Sequence, residues 1–124
     1  MTEEALRLIN QTKPGQSPLD QINLCTSFLE KGMGLMFRKS LDQDEGIILA
    51  DRGESRINSA IHMLFMNLDI TVLWLDKNYV VVDKVLAKRW RPFYLPSKPA
   101  QYVIELHENQ INNYSVGDIL VFES

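Results

Sequence analysis

Histidine is the side chain that ordinarily changes charge near neutrality, and this 124-residue sequence holds two, His62 and His107. With Asp69 and Glu105 they could form an acid–base set, because both carboxylates lie in or beside expected strands, where desolvation would raise their pKa. The plain alternative is that each is a hydrogen-bonded residue at a strand end. His62, Met63, Met66, Met33, Met36 and Cys25 together include the imidazole, thioether and thiolate ligands that copper(I) favours. If residues 61–68 are extended, however, His62 and Met66 stand roughly 13 Å apart, too far to share an ion. Methionine more often fills gaps in a core, so neither a metal nor a cofactor is expected. Nucleophilic chemistry finds no footing either: Cys25 lies inside an apolar strand, where a thiol is inert, and no G-x-S-x-G elbow, P-loop, G-x-G-x-x-G or H-E-x-x-H occurs.

A different chemistry is offered by DKVLAKRWRPFYLPSKPAQY, where Lys84, Lys88, Arg89, Arg91 and Lys98 surround Trp90, Phe93 and Tyr94. Cations mixed with stacking rings suit single-stranded nucleic acid, but also a solvated loop whose arginines pair with neighbouring carboxylates. Sixteen acidic residues against thirteen basic ones leave a formal charge of −3, which gives no long-range attraction to a phosphate backbone. Nucleic acid is therefore not expected. A small anionic ligand or a protein partner remains open for the loop Lys88, Arg89, Trp90 and Arg91.

These groups must be positioned by an element pattern that is mostly strand. DITVLWLD (69–76) and YVVVDKVL (79–86) are rich in β-branched and aromatic residues and are parted by Lys77 and Asn78, which reads as a hairpin. In its first arm Ile70, Val72, Trp74 and Asp76 share one face and Thr71, Leu73 and Leu75 the other. Both faces are largely apolar, so the arm should be central. Further strands are expected at 6–10, 21–25, 46–50, 101–106 and 118–123, separated by turn formers such as KPGQSP, DQDEG, DRGES and PSKP. One helix is expected at 26–41, where Ser27 and Glu30 could form a capping box. Gly32 and Gly34 weaken it by about 1 kcal/mol each. Many short strands with one short helix point to a mainly β sandwich or barrel.

At 124 residues, with 45% apolar and 23% charged residues, residues 1–124 should make one domain. The N-terminus carries glutamates where a secretory signal would be basic, no apolar run approaches eighteen residues, and the single cysteine cannot form an internal bridge. A soluble cytoplasmic protein with no membrane partner is the expectation.

Several of these residues also fall into a pattern of known order. Gly34-Leu35-Met36-Phe37-Arg38, Glu45-Gly46-Ile47-Ile48-Leu49, Ile61-His62-Met63 with Met66, Leu68-Asp69-Ile70, Trp74-Leu75-Asp76, Trp90-Arg91-Pro92, Val103-Ile104-Glu105-Leu106 and Gly117-Asp118 resemble the bacterial and archaeal family catalogued as domain of unknown function 192, from about residue 8 to 122. The resemblance implies a compact, mainly β domain with no established reaction, cofactor or partner. It places Arg38, His62, Met66, Asp69, Glu105 and Asp118 at recurrent polar or sulfur-bearing positions. Residues 56–60 hold neither the cysteine nor the proline that the family often carries before the His62 position, so cysteine–histidine chemistry is not expected. His107 has no counterpart in the pattern.

The expected function is thus a non-enzymatic binding or accessory module with a cleft formed by Arg38, His62, Met66, Asp69 and Glu105. One alternative is a small acid–base hydrolase using His62 with Asp69 or Glu105. The other is an interaction domain using a sheet edge or the Arg89–Tyr94 loop.

Overall fold

A computed structural model of the chain describes residues 5–25 and 34–124. Its strands are β1 (Ala5–Asn10), β2 (Leu19–Cys25), β3 (Glu45–Ser55), β4 (Ile70–Leu75), β5 (Val81–Ala87), β6 (Ala100–His107) and β7 (Leu120–Glu123), with one 3-10 turn at Glu108–Gln110. They form a single sheet in the order β5-β4-β6-β3-β2-β1-β7. All neighbours are antiparallel except β2 and β3, which run parallel and are joined by residues 26–44. The sheet curls until its edges meet: Val80 and Ile119 bridge, and the Val81 N–H donates to the Asp118 carbonyl at 2.9 Å. Curling removes part of the exposed edge that an open sheet would offer to other chains. The fold is the mainly β, barrel-like architecture expected from the pattern of short strands.

Alternation along the strands divides the apolar side chains between two clusters. Leu8, Ile22, Ile48, Leu73, Ile104 and Leu120 pack on one face. Ile47, Val72, Trp74 and Val103 pack on the other, where Ile61, Met63 and Met66 cover them. Each fully buried side chain of this kind contributes about 1.5–3 kcal/mol. Every residue of β4 is buried, and the strand lies between β5 and β6, which accounts for the two apolar faces of its sequence.

Three local expectations change. The hairpin loop is longer than Lys77-Asn78, because Leu75 pairs with Val81 and Asp76 Oδ1 accepts from the N–H groups of Asn78 and Val80 at 2.9 and 3.0 Å. DRGES does not break the chain: β3 runs through it to Ser55, with a register shift between Ala50 and Ser55. Of the expected helix, residues 26–33 lie outside the described residues, and residues 34–37 form a turn rather than a helix. Gly34 (φ +50) and Phe37 (φ +65) both leave the right-handed region that a helix requires. Among the described residues, no helix is long and apolar enough to cross a membrane.

Candidate functional site

Glu105 sits near the middle of β6, paired with Ile47 of β3 on one side and Val72 of β4 on the other. Two apolar cross-strand neighbours and a position inside the sheet leave the residue only 6% exposed. The close packing of β6 on β3 depends on Gly46, where a Cβ would collide with the Glu105 carbonyl oxygen and the Leu106 side chain. No hydrogen bond or ion pair reaches the Glu105 carboxyl from the described residues, and burial alone pushes its pKa up to about 7. The carboxyl lines a cleft of about 170 Å³. Leu49 and Asp51 of β3 and Gln101, Val103 and Glu105 of β6 line one part, and residues 34–36, 58–62 and Met66 line the rest.

The second wall is a connection with little regular structure, and it is held by identifiable bonds. Ile61 and Tyr94 exchange backbone hydrogen bonds at 3.0 and 2.9 Å, Met63 N donates to Arg91 O at 2.9 Å, and Trp90 N donates to Met63 O at 2.7 Å. From below, the buried Trp74 indole donates Nε1–H to the Ser59 carbonyl at 2.7 Å. Ile61, Met63 and Met66 turn inward, which leaves the intervening His62 exposed. Its Nδ1 accepts the Leu64 N–H at 3.2 Å, closing a local turn. His62 is therefore a loop residue at the cleft, and its ring orientation is set in part by its own backbone.

Of the five residues expected to share a cleft, the structure brings together His62, Met66 and Glu105. Arg38 stands apart, donating from Nη2 to Glu45 Oε2 at 2.7 Å. Burial raises the Glu45 carboxyl, but the Arg38 and Asp42 hydrogen bonds outweigh it and hold the pKa below the ordinary value. Asp69 also lies elsewhere, and its expected upward shift is reversed. The Arg89 N–H donates to Asp69 Oδ1 at 2.9 Å, and this bond, with the Arg89 guanidinium at 3.0 Å and Lys88 at 3.6 Å, lowers the pKa against the effect of burial. Asp69 and Arg89 line a second cleft, of about 240 Å³, with Lys39, His107 and Glu108. His107 and Glu105 thus face different cavities.

The loop of Lys88, Arg89, Trp90 and Arg91 is a surface feature. Lys88 and Arg89 pair with Asp69, and the Arg91 guanidinium carbon lies 5.6 Å from the centre of the Tyr94 ring. Trp90 is 53% exposed and meets Phe65 edge-on at 5.2 Å, while Phe65 meets Phe37 at 5.6 Å. All three rings stand on backbone at positive φ, a conformation uncommon for bulky residues. Among the described residues, no group of three or more His, Cys, Asp or Glu side chains is arranged to hold a metal ion.

Asp51, Asn58, Ser59 and Gln101 also line the first cleft without having been singled out by residue type. Gln101 could have been found by alternation, since residues 101, 103 and 105 share a face of β6. Asp51 was hidden by the turn-like composition of DRGES.

Comparison with known proteins agrees with this architecture. A UPF0127 protein of Thermococcus kodakarensis is 42% identical over 115 residues, covering 91% of this chain and 71% of that protein. A UPF0127 protein of Pyrococcus furiosus is 38% identical over 115 residues, covering 91% and 95%. Both sources are archaeal and give no support to a bacterial one. A crystal structure from Sinorhizobium meliloti, described as a candidate transcription regulator, superposes with a TM-score of 0.80 at 20% identity over 98% of this chain and 94% of that one. At that identity the likeness is one of fold alone. Residues 9–122 match the model of the family described as an uncharacterized ACR, domain of unknown function 192, and the chain belongs to that family.

Proposed function

We propose that this chain is a small-molecule binding domain whose ligand enters the cleft between β3, β6 and the 58–66 connection. One observation carries the reading: the Glu105 carboxyl is buried, has no hydrogen-bond partner among the described residues, and opens into a cleft shared with His62 and Met66. The carboxyl is held in a low-dielectric place that raises its pKa, yet it opens to the cleft, so a donor arriving from solution can reach it. Binding is favoured over acid–base hydrolysis because Asp69, one of the two carboxylates that could share a proton with His62, is engaged by Arg89 outside the cleft. The test is a protein-observed NMR screen of a fragment library. Hits that move the Met66 methyl and the Ser59 to His62 amides support the reading, and hits confined to other surfaces refute it.

A second reading, an interaction surface on the Arg89–Tyr94 loop, is favoured by the exposed contact chain Phe37, Phe65 and Trp90. Lys39, Lys88 and Arg91 border these rings in sequence, so the partner that fits is an acidic protein segment with aromatic side chains. A random copolymer of glutamate and tyrosine serves as probe. Quenching or shifting of Trp90 fluorescence that is lost at high salt supports this reading, and an unchanged spectrum counts against it.

A further inference from the structure

Resting on the reading of the cleft as a ligand site, we infer that its ligand is a compact organic cation, a protonated amine or guanidine, whose nitrogen lies against the Glu105 carboxylate. The charged groups of the lining decide the sign. Glu105 and Asp51 are both carboxylates, and among the described residues no lysine or arginine lines the cleft. An anion entering would meet two carboxylates and, among the described lining residues, no permanent counter-charge. A cation would meet a carboxyl that has no donor among the described residues, and pairing would offset the cost of ionising it in a buried place.

Room for such a nitrogen is kept by Gly34. A Cβ there would stand 3.2 Å from Glu105 Oε1 and 3.7 Å from Oε2, on backbone at φ +50. Any L side chain would crowd the carboxyl and strain the turn together. The rest of the lining suits an apolar body with few hydrogen-bonding groups: Leu49, Ile61, Met66 and Val103 are apolar, while Ser59 and Gln101 are neutral and polar. A volume of about 170 Å³ lies below the roughly 300–1,000 Å³ of drug-sized sites, so the ligand is compact.

Burial disfavours ionisation of Glu105, and Asp51 of β3 adds a second carboxylate to the same lining. His62 comes from the connection and His107 lies next along the same face of β6, turned to the second cleft. On β3, Glu45 is paired with Arg38. Cation binding requires the ionised carboxylate, so affinity rises with pH up to about 7 and levels above it. With a single site of this kind, the gain between pH 5 and 7 is roughly fifty-fold.

Butylammonium, butanol and butyrate are probes of similar size for the three charge states. We expect butylammonium to shift the Met66 methyl signal of the full chain, with affinity rising from pH 5 to 7 and falling at least tenfold in Glu105→Gln. The same rise in a His62→Asn background excludes the imidazole as its source. Should Glu105→Gln fail to fold, the δ-carbon signal of Glu105 in the wild type replaces it: bound amine must lower the pH at which that signal titrates. Tighter binding of butyrate, affinity that falls as pH rises, or amine binding unchanged in Glu105→Gln overturns the cation. In the first of these cases the cleft still stands as a ligand site. A titration of Glu105 unmoved by saturating amine overturns the inference as well.

Discussion

The Cβ position of Gly34 lies 3.2 Å from Glu105 Oε1, so a residue of the turn before β3 and a residue in the middle of β6 depend on each other. Gly34→Ala brings two effects, an L residue at φ +50 and a methyl group against a buried carboxyl oxygen. The expected destabilisation is about 1–3 kcal/mol, measured by urea unfolding. The methyl group also occupies the approach to the carboxyl, so ligand shifts at Met66 should weaken more than stability alone accounts for.

Burial pushes the Glu105 carboxyl up to about 7 in the fold, against an ordinary value of 4.5. The folded state therefore favours the neutral form. The contribution is fully present below about pH 4.5 and is lost as pH rises through 7. That difference amounts to on the order of 3 kcal/mol. Glu105→Gln removes this titration, so the variant should gain on the wild type between pH 5 and pH 8. Parallel stability curves for the two proteins across that range would contradict the assignment.

Much of the fold was legible in the residues because strand alternation and β-branched composition are local signals. The 69–76 and 79–86 arms appear as Ile70–Leu75 and Val81–Ala87, and QYVIEL appears within Ala100–His107. The longer turn at Asp76 depends on a side chain bonding its own backbone, and β3 continues through Gly53 because β6 pairs with it. Neither is a compositional property. The site was legible only in part for the same reason. His62, Met66 and Glu105 meet through the sheet order and the Trp74 anchor, whereas Asp69 and Arg38 find nearer cations or carboxylates. Both carboxylates were expected to be raised by burial. Glu105 is, and Asp69 is not, because the outcome is decided by donors contributed from another segment, the Arg89 backbone and guanidinium.

Trp74 joins β4 to the wall of the cleft through a single buried bond to the Ser59 carbonyl. Trp74→Phe keeps an aromatic ring in the core but removes the donor and part of the volume, so a loss of about 2–4 kcal/mol is expected. Hydrogen exchange separates a local from a global effect. Amides of residues 58–63 should exchange faster than those of β4 and β6 in the variant, if the indole is what holds the connection against the sheet.

Asp118 is the corresponding anchor at the other end of the chain. It is buried, and its Oδ2 accepts from Asn10 Nδ2 at 2.8 Å and from the Ser115 N–H at 2.9 Å, with Lys13 Nζ at 3.3 Å. These contacts join the end of β1 to the turn before β7, next to the bonds that bring the sheet edges together. Burial pushes the carboxyl up, but the three donors outweigh it and leave its pKa below the ordinary value of 3.8. The fold therefore favours the ionised form. Its contribution is complete above about pH 4 and is lost as pH falls through the lower folded value. Asp118→Asn removes the charge from a buried set of donors and should cost roughly 2–3 kcal/mol at neutral pH. The gap between variant and wild type should narrow below pH 4. A gap that stays constant from pH 7 to pH 3 would mean that the hydrogen-bond geometry, and not the charge, holds the two ends of the sheet together.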